Sequence, residues 1–145
     1  MSASQAEESR SRSHHALLAE AIAALATSHE NQPKNQCFGA AVRTPAGRVY
    51  SAGVFWSATS TLTVHAEHAA LIHAAAHGER EIAAIACVST EDPAGEKLCH
   101  PCGICKQLLY ESFQRTGIDL EVVMGSRNGQ FLVRRISELV SYPWP

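Results

Sequence analysis

No stretch of this sequence approaches the roughly 20 consecutive apolar residues that a membrane-spanning helix needs, so no membrane partner is expected. An excess of positive charge is missing too. Twelve Lys and Arg stand against 14 Asp and Glu, for a formal net charge of −2 and a pI of about 6.4, which leaves no electrostatic footprint for nucleic acid. No apolar leader opens the sequence, and its five cysteines are an odd number. Together these argue against a disulfide framework and for a reducing, cytoplasmic setting. Internal repeats and a second domain are also lacking. What remains, 145 residues of which 46% are hydrophobic, suffices for one core. A small dissolved molecule is the default partner.

The most informative residues are His65-Ala66-Glu67 and Pro101-Cys102-Gly103-Ile104-Cys105. A catalytic zinc takes three imidazole or thiolate ligands and keeps one position for water, and His65, Cys102 and Cys105 supply that set. Glu67 is then left over for proton transfer, since a carboxylate beside an activated water can take a proton and deliver it to a leaving amine. Zinc brings the pKa of coordinated water to about 7, so no strong base is required. A competing arrangement, a structural knuckle built from Cys99, His100, Cys102 and Cys105, leaves Glu67 without a task. Cys37 and Cys87 read as small core residues. His14, His15 and His29 read as solvated positions on or near the first helix, while His73 and His77 follow helix geometry without ligating.

Residues 1–13 are rich in Ser and charge, with no apolar period, and read as a flexible polar tail ahead of a single domain over 14–145. Ala16, Leu17, Ala19, Ile22, Ala23, Leu25 and Ala26 give the first helix an apolar face, and residues 31–35 close it as a loop. Strands over 38–43 and 48–55 flank the Pro45-Ala46-Gly47 turn as a hairpin. Helices over 66–77 and 102–115 would each open at one half of the metal motif, so that two helix N-termini face one ion. Strands over 82–89, 120–124 and 131–134, a turn at Asn128-Gly129 and a last helical turn over 136–140 complete the series. Helices placed between strands demand a sheet covered by helices.

These motifs resemble those of the small cytidine deaminases and the related blasticidin S deaminases, from about residue 14 onward. Gly39-Ala40-Ala41-Val42 is similar to the family's Gly-Ala-Ala strand, His65-Ala66-Glu67 to its Cys-Ala-Glu, and Pro101 through Gln107 to its Pro-Cys-Gly-x-Cys-Arg-Gln; His-x-Glu followed by Pro-Cys-x-x-Cys is a zinc-deaminase pattern. The resemblance implies a three-layer α/β/α fold with a five-stranded mixed sheet. It also implies one zinc ion per subunit, hydrolysis of an exocyclic amine with release of ammonia, and a homotetramer, or a dimer, whose active sites neighbouring subunits complete.

On the same grounds Ala66 offers its backbone N–H to a ring carbonyl, and Phe38 stacks on the base where Gln36 replaces the family's phenylalanine. One ring of the Phe55-Trp56 pair faces a pocket, and Trp144 reaches into an adjacent one. The chain departs from the family in three linked places. His65 replaces a thiolate, which makes zinc and its protein ligands formally neutral, while His68 and Lys106 replace two arginines as candidate partners of the sulfurs. Phe55 and Ser57 stand where an Asn-x-Glu pair holds ribose hydroxyls, so the ribose clamp is absent. Candidate substrates are a cytosine-type nucleoside, a modified or antibiotic nucleoside, or a guanine- or pterin-like amine. A nucleic-acid base deaminase of the tRNA adenosine type and a catalytically silent member are the alternatives.

Overall fold

The computed structural model describes residues 1–29 and 36–145; the loop expected over 31–35 lies outside them. Helix α1 runs Ala3–Ala24 and is the first of four among the described residues, with α2 at Ala66–Ala76, α3 at Gly103–Thr116 and α4 at Ile136–Leu139. Five strands, β1 (Phe38–Arg43), β2 (Val49–Gly53), β3 (Ala84–Ser89), β4 (Glu121–Gly125) and β5 (Phe131–Arg135), form one sheet in the order β2-β1-β3-β4-β5. Only β3 and β4 pair in parallel, so the sheet is mixed. Short 3₁₀ segments, Leu25–Thr27 and Ser60–Leu62, lie in the connections.

Helix α1 begins eleven residues before the expected end of the polar tail: residues 3–13 are its first three turns. No apolar stripe is needed there. Ser2 caps the helix by accepting from the Gln5 N–H at 3.3 Å, and the Gln5 side chain accepts from the Ser2 N–H at 2.8 Å, a reciprocal pair worth about 1 kcal/mol. Farther along, Arg10 reaches Glu121 of β4 at 2.6 Å. His14, expected in solvent, is only 5% exposed; it pairs with the Glu121 carboxylate and meets Phe131 edge-on at 5.9 Å. His29 is exposed, as expected, and stacks on Phe55.

Side-chain alternation along the strands divides the core in two. Ala41, Ala84, Ala86, Val88 and Val123 face Leu17, Leu18 and Ala21 of α1. Ala40, Val42, Ile85, Cys87, Val122 and Met124 face the opposite layer, where Ala66, Ala70 and Ala74 of α2 and Leu109 of α3 pack. This is the three-layer arrangement with helices on both faces. Cys87 is buried as expected, whereas Cys37 is only half-buried.

One close approach sets the position of the site. Gly39 and Gly53 are register partners on β1 and β2, and a Cβ on either would run into backbone, Ala21 O for the first and Ser28 for the second. The bare pair lets the end of α1 sit directly on the strands. Thr27 Oγ1 then accepts from Gly53 N at 3.0 Å, Ser28 Oγ donates to Phe38 O at 3.2 Å, and His29 N donates to Val54 O at 2.7 Å. Phe38, Val54 and Trp56 are thereby fixed side by side.

Candidate metal centre and active-site pocket

His65 and Cys102 are the N-cap residues of α2 and α3, both with extended backbone, and neither uses its side chain to cap its helix. Both side chains therefore turn toward each other. His65 Nδ1 lies 3.2 Å from Cys102 Sγ and 3.4 Å from Cys105 Sγ, and the three donor atoms all fall within 4.8 Å of one another. Tetrahedral zinc with ordinary Zn–N and Zn–S bonds separates such donors by about 3.6 Å, so this constellation fits the ion. Cys99 and His100 stand outside it. Cys99 is instead held to the sheet, its N–H on Gly125 O at 2.9 Å and its carbonyl accepting from Cys87 Sγ at 3.3 Å. The knuckle arrangement is therefore not formed.

Glu67, in the first turn of α2, is 6% exposed and places Oε2 3.5 Å from Cys105 Sγ. Burial raises its carboxyl above the usual carboxylate range. Burial also raises the Cys105 thiol strongly, and Glu67 and Cys102 add to that. Three acids crowded into one buried corner oppose one another's ionisation, and a divalent cation removes that opposition. The free N–H groups of two helix starts point the same way, as positive ends toward thiolates.

Neither His68 nor Lys106 hydrogen-bonds to a sulfur. His68 lines a separate open groove between α2 and α3, with Leu71, Ile72 and Leu108, and Lys106 is half-buried. That groove, about 730 Å³, is larger than the cavity at the cysteines but does not reach them.

The cavity beside His65 and Cys102 encloses about 220 Å³. His65, Glu67 and Cys99 form its floor, Phe38, Val54 and Trp56 its apolar wall, and the exposed residues Glu91, His100 and Cys102 its rim. Trp56 is anchored by its Nε1–H on Gln36 O at 2.9 Å and meets Phe38 in a T-shaped contact at 6.3 Å. Phe55 points elsewhere: it is 54% exposed and stacks on His29 at 4.5 Å. Of the two adjacent rings, Trp56 is the one in the pocket. Ala66 is fully buried as the first residue of α2. Trp144 stays on the surface away from this chain's own cavity, its carbonyl accepting from Gln107 Nε2 at 2.6 Å.

Four lining residues, Val54, Glu91, Cys99 and His100, were not among the substrate-binding candidates. Three of them flank the polar connection from β3 to the cysteine pair, where no periodicity marks a side chain as facing inward. The only usable signal was their nearness in sequence to Cys102.

Residues 11–118 match the family profile of the cytidine and deoxycytidylate deaminase zinc-binding region. Among solved structures, the chain is similar to a cytidine deaminase from Burkholderia pseudomallei at 33% identity, over 90% of this chain and 98% of that one, with a TM-score of 0.77. A cytidine deaminase from Mycobacterium leprae is 28% identical over 88% and 96% of the two chains, with a TM-score of 0.69. One from Mycobacterium tuberculosis, at 23% identity over 90% and 95% and a TM-score of 0.71, shares the fold.

Proposed function

The chain belongs to the cytidine and deoxycytidylate deaminase zinc-binding family, and from that premise we propose that it hydrolyses the exocyclic amine of a cytosine-type nucleoside or a related aminated heterocycle. It is a zinc-dependent, cytidine deaminase-like aminohydrolase. The observation that carries the reading is the placement of Glu67: a buried carboxylate on the floor of an aromatic-walled cavity, beside the metal-binding triad yet not one of its members.

His65, Cys102 and Cys105 hold the ion, and bound zinc supplies an activated water at neutral pH. Everything else falls to the chain's own groups. Phe38 and Trp56 hold the flat ring so that its amine-bearing carbon lies over the floor. The N–H of Ala66, in the unpaired first turn of α2, donates to the ring carbonyl. Glu67 as carboxylate accepts the proton of the water whose oxygen adds to the amine-bearing carbon, burial favouring the carboxyl so formed, and passes that proton to the adjacent ring nitrogen; it then takes the proton of the new hydroxyl and delivers it to the amine, so that the C–N bond breaks, ammonia leaves and a carbonyl remains. The likeness to cytidine deaminases supports a homotetramer in which Trp144 closes a neighbour's cavity.

The test is ammonia release from cytosine, cytidine, deoxycytidine, blasticidin S, guanine, adenosine and pterin-type amines, with zinc measured on the same sample. Glu67→Gln should lower kcat by about 10²- to 10⁴-fold while the zinc content stays near one per chain. A near-normal rate in that variant refutes the scheme.

A further inference from the structure

Helix α2 ends, away from His65 and Glu67, in two exposed imidazoles one turn apart, His73 and His77. Residues four apart share one helix face. The spacing alone reads as helix geometry without a ligand; the folded chain adds which nitrogen each ring leaves available. His73 Nδ1 lies 3.0 Å from Ser51 O of β2, and His77 Nδ1 lies 2.9 Å from His73 O. A carbonyl oxygen only accepts, so each Nδ1 carries a proton and donates it, and in the neutral rings both Nε2 atoms keep a lone pair. Among the described residues, no protein group hydrogen-bonds to either Nε2.

The rings are also held in place. Tyr50 of β2 packs against both, edge-on to His73 at 5.2 Å and tilted against His77 at 5.1 Å, so each imidazole is fixed by a carbonyl at one atom and by an aromatic ring at its side. Two imidazoles that share a tetrahedral ion through bonds of about 2.0 Å have ring centroids about 5 Å apart. Those of His73 and His77 are 5.2 Å apart. A cation at this position lies at the negative end of the α2 dipole. The nearest acid in sequence, Glu79, pairs with Arg48, and among the described residues no third His, Cys, Asp or Glu completes a cluster with the two rings.

We propose that His73 and His77 form a second metal site, which binds one exchangeable late first-row divalent ion, Zn²⁺, Ni²⁺ or Cu²⁺, through their Nε2 atoms, with water in the remaining positions. A backbone carbonyl on the other nitrogen is the usual setting of a metal-ligating histidine, because it fixes the tautomer and the ring direction and raises the ligand's basicity. Two neutral nitrogens without a thiolate or carboxylate hold such an ion at a Kd on the order of 10 μM. Mg²⁺, which prefers oxygen ligands, is refused. The bound ion closes the last turn of α2 and, through the bond from His73 to Ser51, ties it to β2.

Calorimetric titration of the zinc-loaded protein with Ni²⁺, with zinc and nickel then measured on the desalted sample, tests the site without reference to turnover. One Ni²⁺ per chain should bind at about 10 μM with the original zinc retained, and Mg²⁺ should give no binding. His73→Ala and His77→Ala should each weaken Ni²⁺ binding by about tenfold or more. His15→Ala removes another exposed imidazole whose Nδ1 donates to a helix carbonyl, Ser11 O, and should leave the affinity within about twofold. Saturating Ni²⁺ should raise the Tm of the parent by about 5 °C and leave that of the double variant His73→Ala/His77→Ala unchanged. Ni²⁺ taken up only in exchange for zinc, no binding below about 1 mM, an affinity that survives both substitutions, or equal binding of Mg²⁺ overturns the assignment.

Discussion

At position 65 an imidazole stands among sulfurs, and the charge of the whole site follows from it. A third thiolate would leave zinc and its ligands at −1 and ask for cations against the sulfurs. Here the set is neutral, and neither His68 nor Lys106 donates a hydrogen bond to Cys102 or Cys105; the sulfurs' partners are His65 and Glu67. Lys106→Met is therefore expected to change zinc content and kcat/KM by less than about threefold, the range for a half-buried charge that makes no hydrogen bond to a sulfur. His65→Cys is the opposite case. It adds an uncompensated negative charge beside buried Glu67, so zinc should be retained but kcat/KM should fall by about tenfold or more, as one pKa unit of mistuning implies. Zinc analysis together with steady-state rates decides both; a fully active His65→Cys variant would show that charge neutrality of the donor set is irrelevant.

Among the elements, β1, β2 and the end of α1 do most to shape the pocket, and their contact depends on having no side chain at two places. Gly39→Ala or Gly53→Ala pushes a methyl into backbone that cannot rotate away, and overpacking of this kind costs about 1–3 kcal/mol. The same shift moves Phe38, Val54 and Trp56, so denaturant midpoints and KM should worsen together; a variant destabilised with unchanged KM would break the link between that contact and the pocket wall. How legible these elements were depends on what holds each one. Strands 38–43 and the two motif helices follow from local pattern and from turn chemistry, such as Gly117, which ends α3 in the left-handed conformation at φ 75°. The first three turns of α1 do not, because they are held by a cap and by a bond to a residue 111 positions away. Metal-ligand spacing was readable for a similar reason: His65, Cys102 and Cys105 sit at helix starts. Glu91 and His100 lie in a connection without period, where only the folded chain shows which way a side chain faces.

Taken as a whole, the molecule ties its first helix to the far half of the sheet through one carboxylate. Glu121, the first residue of β4, meets Arg10 at 2.6 Å, buried His14, and Arg135 of β5 at 3.7 Å. Burial by itself would raise its carboxyl; hydrogen bonds from Arg10 and His14, with their charges, outweigh that and hold it below the ordinary carboxylate value. A carboxyl depressed in the folded state leaves the unfolded chain binding more protons, so its contribution is complete above the unfolded value, about 4.3, and disappears as pH falls through the lower folded one. Thermal stability should therefore be flat near neutrality and drop below about pH 4. Glu121→Gln keeps a hydrogen-bonding side chain beside His14 but removes the charge. With Arg10 more than half exposed, a loss of about 1 kcal/mol at pH 7 is expected, or about 3–5 °C in Tm for a chain of this size. The variant's Tm should also fall less steeply than the parent's between about pH 5 and 3, because the proton uptake that drives the drop is gone. Scanning calorimetry of both proteins across that range decides the matter: parallel acid limbs would mean that other carboxylates govern acid unfolding and that this cluster merely accompanies the docking of α1.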